Sequence, residues 1–155
     1  MTTRRSFLRK SLAFSAYSLV STLGWLTSLN AFAEWQIENF KQGPLEESLK
    51  RLFKDQKITE SKDIEIKIPL IAENGAVVPI TVSSSLLDIR TISIFVAKNP
   101  VPLAARFELS PDLDPFVSAR LKMAETSDVI AVAETDAGLY SARQLVKVTI
   151  GGCGG

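Results

Sequence analysis

Asp63-Ile64-Glu65-Ile66-Lys67-Ile68 alternates charged and apolar residues without a break. Successive side chains of a β-strand point to opposite faces, so Ile64, Ile66 and Ile68 share one face, and Glu65 and Lys67 the other. The period of two that starts at Asp63 decides the fold class of everything downstream. Glu73-Asn74-Gly75-Ala76 supplies a turn, and Val77 to Ser83 reads as the partner strand. Further strand-like runs lie at Thr91–Lys98, Leu103–Leu109, Phe116–Ala124, Ser127–Glu134 and Leu139–Ile150. They are separated by Asn99-Pro100, Ser110-Pro111, Thr126-Ser127 and Asp136-Ala137-Gly138. About seven strands result, with turns roughly 8–12 residues apart and no intervening helices to make parallel βαβ units. The expectation is a mainly β fold, an immunoglobulin-like antiparallel β-sandwich.

Upstream of Asp63 the period is helical. Leu45, Leu49, Leu52 and Phe53 follow Pro44 at the i, i+4, i+7 and i+8 spacing of one helix face. Glu46 and Glu47 fall in the first turn, which suits the helix dipole, and Lys50 and Arg51 stand four residues beyond them for side-chain pairing. One N-terminal amphipathic helix therefore precedes the sandwich, with residues 34–43 as its lead-in.

At the other end the strand pattern runs up to Ile150 and stops at Gly151-Gly152-Cys153-Gly154-Gly155. Glycine lacks a Cβ and loses much backbone entropy when ordered, so this pentapeptide is expected to form neither helix nor strand. The single cysteine of the chain then rides on a flexible arm, 151–155, anchored at its base by the last strand. Fully extended, five residues span roughly 17 Å, and without side chains they can thread a narrow channel in another protein. The plainer reading is a glycine-rich terminus with a cysteine used for an intermolecular disulfide.

The beginning of the chain indicates a compartment. Arg4-Arg5 lies in a Thr3-Arg4-Arg5-Ser6-Phe7-Leu8-Arg9-Lys10 motif, followed by an apolar stretch diluted with serine, threonine and glycine and closed by Ala31-Phe32-Ala33. This is the pattern of a twin-arginine signal peptide over 1–33, with cleavage before Glu34. A transmembrane anchor is the competing reading, weakened by the polar dilution and the cleavage motif. The twin-arginine route exports folded proteins, as is needed when a partner or cofactor is acquired before crossing. No cofactor ligands are evident, so a partner is expected, and the destination is the periplasm.

Removing the four basic residues of 1–33 leaves 14 basic against 17 acidic residues, a net charge of −3 where the whole chain has +1. A mildly acidic surface without a basic run offers no footprint for nucleic acid or for an anionic membrane. One cysteine permits no internal disulfide, and a domain of this length is stabilised by burial without one. The chain contains no histidine, which removes Ser-His-Asp triads, Cys-His pairs and imidazole metal sites together. There is no phosphate-binding loop or dinucleotide fingerprint. Asp112-Leu113-Asp114 lies between Pro111 and Pro115, where acidic turn residues are ordinary, and Asp128, Glu134 and Asp136 read as surface or turn residues. Nothing in this inventory assembles an enzyme or a metal site.

The chemistry therefore concentrates on Cys153. The thiolate is the nucleophile, and a thiol of ordinary pKa, about 8.5, is only a few per cent ionised near neutrality. A client enzyme must assist, either with a basic pocket or with a redox cofactor that couples the thiol to an incoming sulfur nucleophile. The adduct then stays attached while the arm moves between enzymes, which keeps its local concentration high. Such a chain is a substrate carrier rather than a catalyst.

Val148-Thr149-Ile150-Gly151-Gly152-Cys153-Gly154-Gly155 strongly resembles the end of the SoxY sulfur carriers of bacterial thiosulfate oxidation. Ile71-Ala72-Glu73-Asn74-Gly75-Ala76-Val77-Val78-Pro79, and Phe95-Val96-Ala97-Lys98-Asn99-Pro100 leading to Ala105-Arg106-Phe107, carry the resemblance inward, and with the leader it covers essentially the whole chain. The resemblance implies that Cys153 holds its substrate as a cysteine S-thiosulfonate, loaded oxidatively by a c-type haem enzyme. A di-manganese hydrolase then releases sulfate and leaves a persulfide-type sulfane, which a molybdenum-containing dehydrogenase oxidises or another acceptor takes. It also implies a heterodimer with SoxZ, a second sandwich protein exported alongside. Position by position, Cys153 takes the covalent role and Gly151, Gly152, Gly154 and Gly155 the arm role. The internal matches are expected to maintain fold and partner surface.

Two rival classes stand beside this one. Gly154-Gly155 is also the ending of ubiquitin-like carriers that form a thiocarboxylate on the last glycine, but those are cytoplasmic and need no cysteine here. A structural or adhesive module would use Cys153 only for an intermolecular disulfide.

Overall fold

The computed structural model describes residues 37–150. The twin-arginine segment with Arg4 and Arg5, the predicted cleavage site, and the predicted arm with Cys153 and its four glycines lie outside the described residues. A 3₁₀ turn at Ile37–Phe40 leads into helix α1 (Leu45–Phe53), after which the chain is all strand. The strands are β1 (Ile58–Glu60), β2 (Ile64–Lys67), β3 (Ile71–Ala72), β4 (Val78–Ser84), β5 (Ile89–Val96), β6 (Leu103–Glu108), β7 (Phe116–Leu121), β8 (Ser127–Thr135) and β9 (Gly138–Val148). None of the described helices is long and apolar enough to cross a membrane.

Two sheets face each other. The smaller has the order β2-β4-β7 and the larger β1-β9-β8-β5-β6. In immunoglobulin lettering β2, β4 and β7 occupy positions A, B and E, while β9, β8 and β5 occupy G, F and C, with β6 beyond C. The expected sandwich is thus found, with all seven expected strands present. β1 and β3 are additional, and both pair in parallel with β9 rather than antiparallel. They are three and two residues long, too short for alternation to reveal them.

The alternation at Ile64 does set the inward face. Ile64 is buried between the sheets with Ile66 and Ile68 packed against the same cluster, while Glu65 and Lys67 are exposed. Ile80, Val82, Ile92, Ile94 and Met123 fill the centre of that layer. β2 pairs with β4 from Ile64↔Ser84 to Lys67↔Thr81, as a hairpin turning near Asn74 would require. Residues 68–77, however, do not close a tight turn, because Ile71–Ala72 crosses to the edge of β9.

A second apolar layer lies on the outer face of the larger sheet. Phe95, Leu103, Ile130, Val132 and Leu139 present it, and α1 covers it with Phe53, Leu45, Leu49 and Leu52. The predicted helix face is therefore the packed face. α1 begins after Pro44, whose extended φ of −68° and ψ of 157° cannot continue a helix backwards. It ends at Lys54, whose φ of 57° leaves the helical region while its N–H still bonds the Lys50 carbonyl at 2.8 Å. Arg51 bonds the Glu47 carbonyl (3.4 Å) rather than its carboxylate, and otherwise reaches the 3₁₀ turn and its own helix. Its guanidinium donates to the carbonyls of Glu38 (3.4 Å) and Lys41 (3.2 Å) and to Ser48 Oγ (3.1 Å), joining the 3₁₀ turn to the helix.

Strand β5 starts two residues earlier than its sequence pattern suggests. The register with β8 passes from Ile89↔Thr135 to Thr91↔Glu134, so Arg90 is an extra residue that bulges outward and interrupts the alternation. Beside it, Glu134 is not a plain surface residue: its Oε2 accepts from Arg106 (3.2 Å) and from Thr91 (3.2 Å), and Arg106 also donates to Ser93 Oγ (3.1 Å). Ser93 and Thr91 are buried, and this network satisfies them beneath the outer surface.

The β8–β9 hairpin is closed by Asp136 and Ala137. Thr135 Oγ1 accepts from the N–H groups of Ala137 (3.1 Å) and Gly138 (3.2 Å), and Gly138 has a φ of +145°. A Cβ at Gly138 would meet nothing within 4 Å, so the demand for glycine is purely conformational. Gly138→Ala is expected to cost about 1–3 kcal/mol in urea denaturation without changing the β content seen by circular dichroism.

Candidate functional site

The candidate site is built at the end of β9, the strand that delivers Ile150 three residues before the only cysteine of the chain. On one flank, β3 and the loop beyond it run parallel to β9. The Lys147 N–H bonds the Leu70 carbonyl (2.9 Å), and the Thr149 N–H bonds Ala72 O (3.1 Å). Thr149 Oγ1 donates to Glu73 O (2.8 Å), and the Ile150 carbonyl accepts the Gly75 N–H (2.7 Å). On the other flank, Thr126 stands just before β8, and its Oγ1 accepts the Val148 N–H at 3.0 Å. The antiparallel register then continues inward from Ser127↔Val146.

Each of these bonds has a local cause. Asn74 Oδ1 accepts the Ala76 N–H at 2.8 Å, an Asx turn that folds the 73–76 segment back and aims the Gly75 N–H at β9. The Gly75 carbonyl accepts from Met123 N at 2.7 Å, which joins the loop to the β7–β8 connection. Asn99, in the β5–β6 turn, holds that connection from the other side: its Nδ2 donates to Lys122 O (2.7 Å) and its Oδ1 accepts from Ala124 N (2.9 Å). Three connections, the β3–β4 loop, the β7–β8 connection and the β5–β6 turn, are thus tied together beside the end of β9.

The surface around this point is apolar and exposed. Leu70, Ile71, Val77 and Ile150 are each more than half exposed, and Lys147, Lys122 and Glu73 are exposed among them. The arrangement supplies a rigid base and an uncrowded rim for whatever follows Ile150. Among the described residues no group of three or more His, Cys, Asp and Glu side chains could hold a metal ion.

The residues singled out from the sequence fall in three places. Gly151, Gly152, Cys153, Gly154 and Gly155, with Arg4 and Arg5, lie outside the described residues. Asp112, Leu113 and Asp114 form an exposed turn, Leu113 N bonding Ser110 O at 3.0 Å, on the loop that precedes β7 rather than beside Ile150. Asp136 pairs with Arg90 at the β8–β9 hairpin, at the far end of β9 from Ile150. In the sequence, Asn99 and Thr126 mark separators and Asn74 a turn, and nothing there gives them a part in holding β9. The signal that could have distinguished them is their type, since Asn and Thr side chains bond backbone groups wherever a turn leaves those unpaired.

Thr126→Val keeps the shape and removes the bond to Val148. We expect a loss of about 1 kcal/mol and faster hydrogen exchange at the Val148 amide, with the β4 amides unaffected. Unchanged exchange at Val148 would show that β3 alone holds the strand end.

Comparison with known proteins agrees with this geometry. The model of the family described as sulfur oxidation protein SoxY matches residues 49–153. Among solved structures, the sulfur carrier protein SoxY from Chlorobium limicola f thiosulfatophilum is 42% identical, with a TM-score of 0.63, covering 68% of this chain and 96% of that one. An engineered protein at 18% identity and a TM-score of 0.39 covers 56% of this chain and 20% of its own length, a likeness too weak to bear on the fold. Comparison with curated proteins finds no match. The family match ends on Cys153 itself and takes in β9, the Asn74 turn and the Asn99 turn, and on that extent the chain belongs to the SoxY family.

Proposed function

We propose that this chain is a covalent carrier of sulfur intermediates in thiosulfate oxidation, with Cys153 as the attachment point and Gly151–Gly155 as a swinging arm. The observation that carries the reading is the fixing of β9 on both flanks up to Ile150, three residues before the only thiol of a SoxY-family chain. A carrier needs that combination of a fixed base and a reactive group at short reach.

Loading joins the Cys153 sulfur to the outer sulfur of thiosulfate. The thiol loses its proton, one S–S bond forms, and two electrons leave, in the proposal to a c-type haem enzyme. Hydrolysis of the S–sulfonate bond, assigned to a di-manganese enzyme, then consumes one water. It releases sulfate and a proton and leaves a persulfide on Cys153. A molybdenum-containing dehydrogenase or another acceptor takes the remaining sulfane. The chain contributes the thiol and its placement, and the enzymes contribute the chemistry.

The proposal also places the mature chain, from Glu34, in the periplasm after export through the twin-arginine motif at Arg4 and Arg5, paired with a SoxZ-type sandwich subunit. The net charge of −3 left after removal of 1–33 fits a soluble partner-bound protein more readily than one held on an anionic membrane.

Intact mass of the chain from cells grown on thiosulfate, with and without reductant, tests the reading. A reductant-labile addition of sulfur or thiosulfate that maps to the peptide containing Cys153 is the expected result. A free thiol or a plain disulfide dimer as the only species would instead favour a binding or structural module.

A further inference from the structure

We propose that Asn74 is a deamidation site whose reactivity is controlled by the end of β9, independently of what Cys153 carries. Asparagine deamidates when the backbone nitrogen of the next residue attacks its side-chain carbonyl carbon, and a following glycine leaves that approach unhindered. Of the four asparagines in the chain, Asn30 precedes alanine, Asn39 phenylalanine, Asn99 a proline without an N–H, and Asn74 alone a glycine. Asn74 is exposed and Gly75 is buried. The electrophile is primed. Asn74 Oδ1 accepts the Ala76 N–H at 2.8 Å, so a donor already sits on the oxygen where negative charge develops as the nitrogen adds. The nucleophile is held back. The peptide unit between Asn74 and Gly75 is bonded at both ends, its N–H to the Ile150 carbonyl (2.7 Å) and its carbonyl to the Val77 N–H (3.5 Å).

Attack requires the Gly75 nitrogen to lose its proton and turn toward the side chain, which breaks the bond to Ile150. Reaction therefore waits until the end of β9 parts from the 73–76 loop. Two neighbouring bonds resist the same parting, from the Thr149 hydroxyl to Glu73 O (2.8 Å) and from the Thr149 N–H to Ala72 O (3.1 Å). In the open state the Gly75 nitrogen gives its proton to solvent and bonds to Asn74 Cγ. The Cγ–Nδ2 bond breaks, and the side-chain nitrogen leaves as ammonia. Water then opens the five-membered imide at either carbonyl carbon, giving aspartate or isoaspartate, with no change of oxidation state. Isoaspartate carries an extra methylene in the backbone between residues 74 and 75, which shifts the Gly75 N–H out of register with the Ile150 carbonyl. A reversible opening of the strand end then becomes permanent.

The test incubates the full chain at mildly alkaline pH and follows Asn74 by peptide mapping and by an isoaspartyl methyltransferase assay. The same chain unfolded in guanidinium chloride, and a synthetic peptide of residues 71–79, serve as references. Both references are expected to deamidate at Asn74 at the same rate, and the folded chain at least about a hundredfold more slowly, because reaction waits on local opening. Thr149→Val removes the hydroxyl that holds Glu73 O and should quicken the folded chain about fivefold, the factor that goes with one hydrogen bond. Thr149→Ser keeps a hydroxyl and should stay within about twofold of the unsubstituted chain. Thr126→Val frees the other flank of β9 at Val148, is expected to act in the same direction as Thr149→Val, and carries the test if that variant does not fold. Amide exchange at Gly75 should rise in the same ratio as deamidation. A folded chain that reacts as fast as the peptide, or a deamidation rate unchanged in the folded valine variants, would overturn the proposal.

Discussion

Cys153→Ser is expected to reduce thiosulfate-dependent loading by more than about a hundredfold, to background, while leaving the urea midpoint unchanged. The substitution exchanges a single atom on a residue outside the described residues. It nevertheless removes the only sulfur that could form a bond to thiosulfate within reach of the anchored end of β9. A hydroxyl is far less acidic than a thiol of pKa about 8.5, and an enzyme adapted to a thiolate has no comparable anion to use. Three outcomes separate the function classes. Loss of the adduct and of turnover supports the carrier. Retained activity would move the chemistry to the terminal carboxylate, as in a thiocarboxylate carrier. Loss of nothing but a disulfide dimer would leave a structural module.

Phe95→Ala is the second large effect, and it acts on stability. Phe95 is completely buried on the outer face of the larger sheet, and its ring centroid lies 6.1 Å from that of Phe53 at an interplanar angle of 58°. It is the floor on which α1 rests. Truncation removes the transfer energy of the ring and leaves a cavity under a nine-residue helix that cannot sink to fill it, at a cost of about 3–5 kcal/mol. Against a total of about 5–15 kcal/mol for a domain, the urea midpoint should fall by about a fifth or more. Phe53→Ala should lie at the lower end of the same range of about 3–5 kcal/mol, because Phe53 ends the helix and its neighbours can close in. A loss under about 1 kcal/mol for Phe95→Ala would contradict the packing of α1 against this sheet.

Much of this architecture could be read from periodicity. Ile64, Ile66 and Ile68 announced an inward strand face, and Leu45, Leu49, Leu52 and Phe53 a helix face, because burial acts on side-chain spacing directly. Arg90 escaped because a bulge shifts the spacing by one residue, and no local residue type demands it. β1 and β3 escaped for a different reason: their pairing with β9 is decided by where the chain crosses between sheets, which two- and three-residue runs cannot encode. The candidate site divides in the same manner. The thiol and its glycines are evident from composition alone, whereas the end of β9 is held by the Thr126 hydroxyl on Val148 and the Gly75 N–H on Ile150, pairings between residues distant in sequence, with the Asn74 and Asn99 side-chain amides bracing the segments behind them. The family resemblance covered these turns, but its motifs do not say which hydrogen bond each residue makes.

The pairing of β9 also has a mechanical meaning. β9 is held along one side by nine paired positions with β8, and along the other by β1 near its start and β3 near its end. A pull on Ile150 along the strand axis loads those bonds in shear, all at once, whereas a pull across the sheet would open them one after another. Resistance to forced opening is a matter of rate, and shear raises the barrier that sets it. The sandwich therefore withstands tension best along the line of β9, so an enzyme that draws the end of the chain straight into a channel pulls against the strongest direction of the fold.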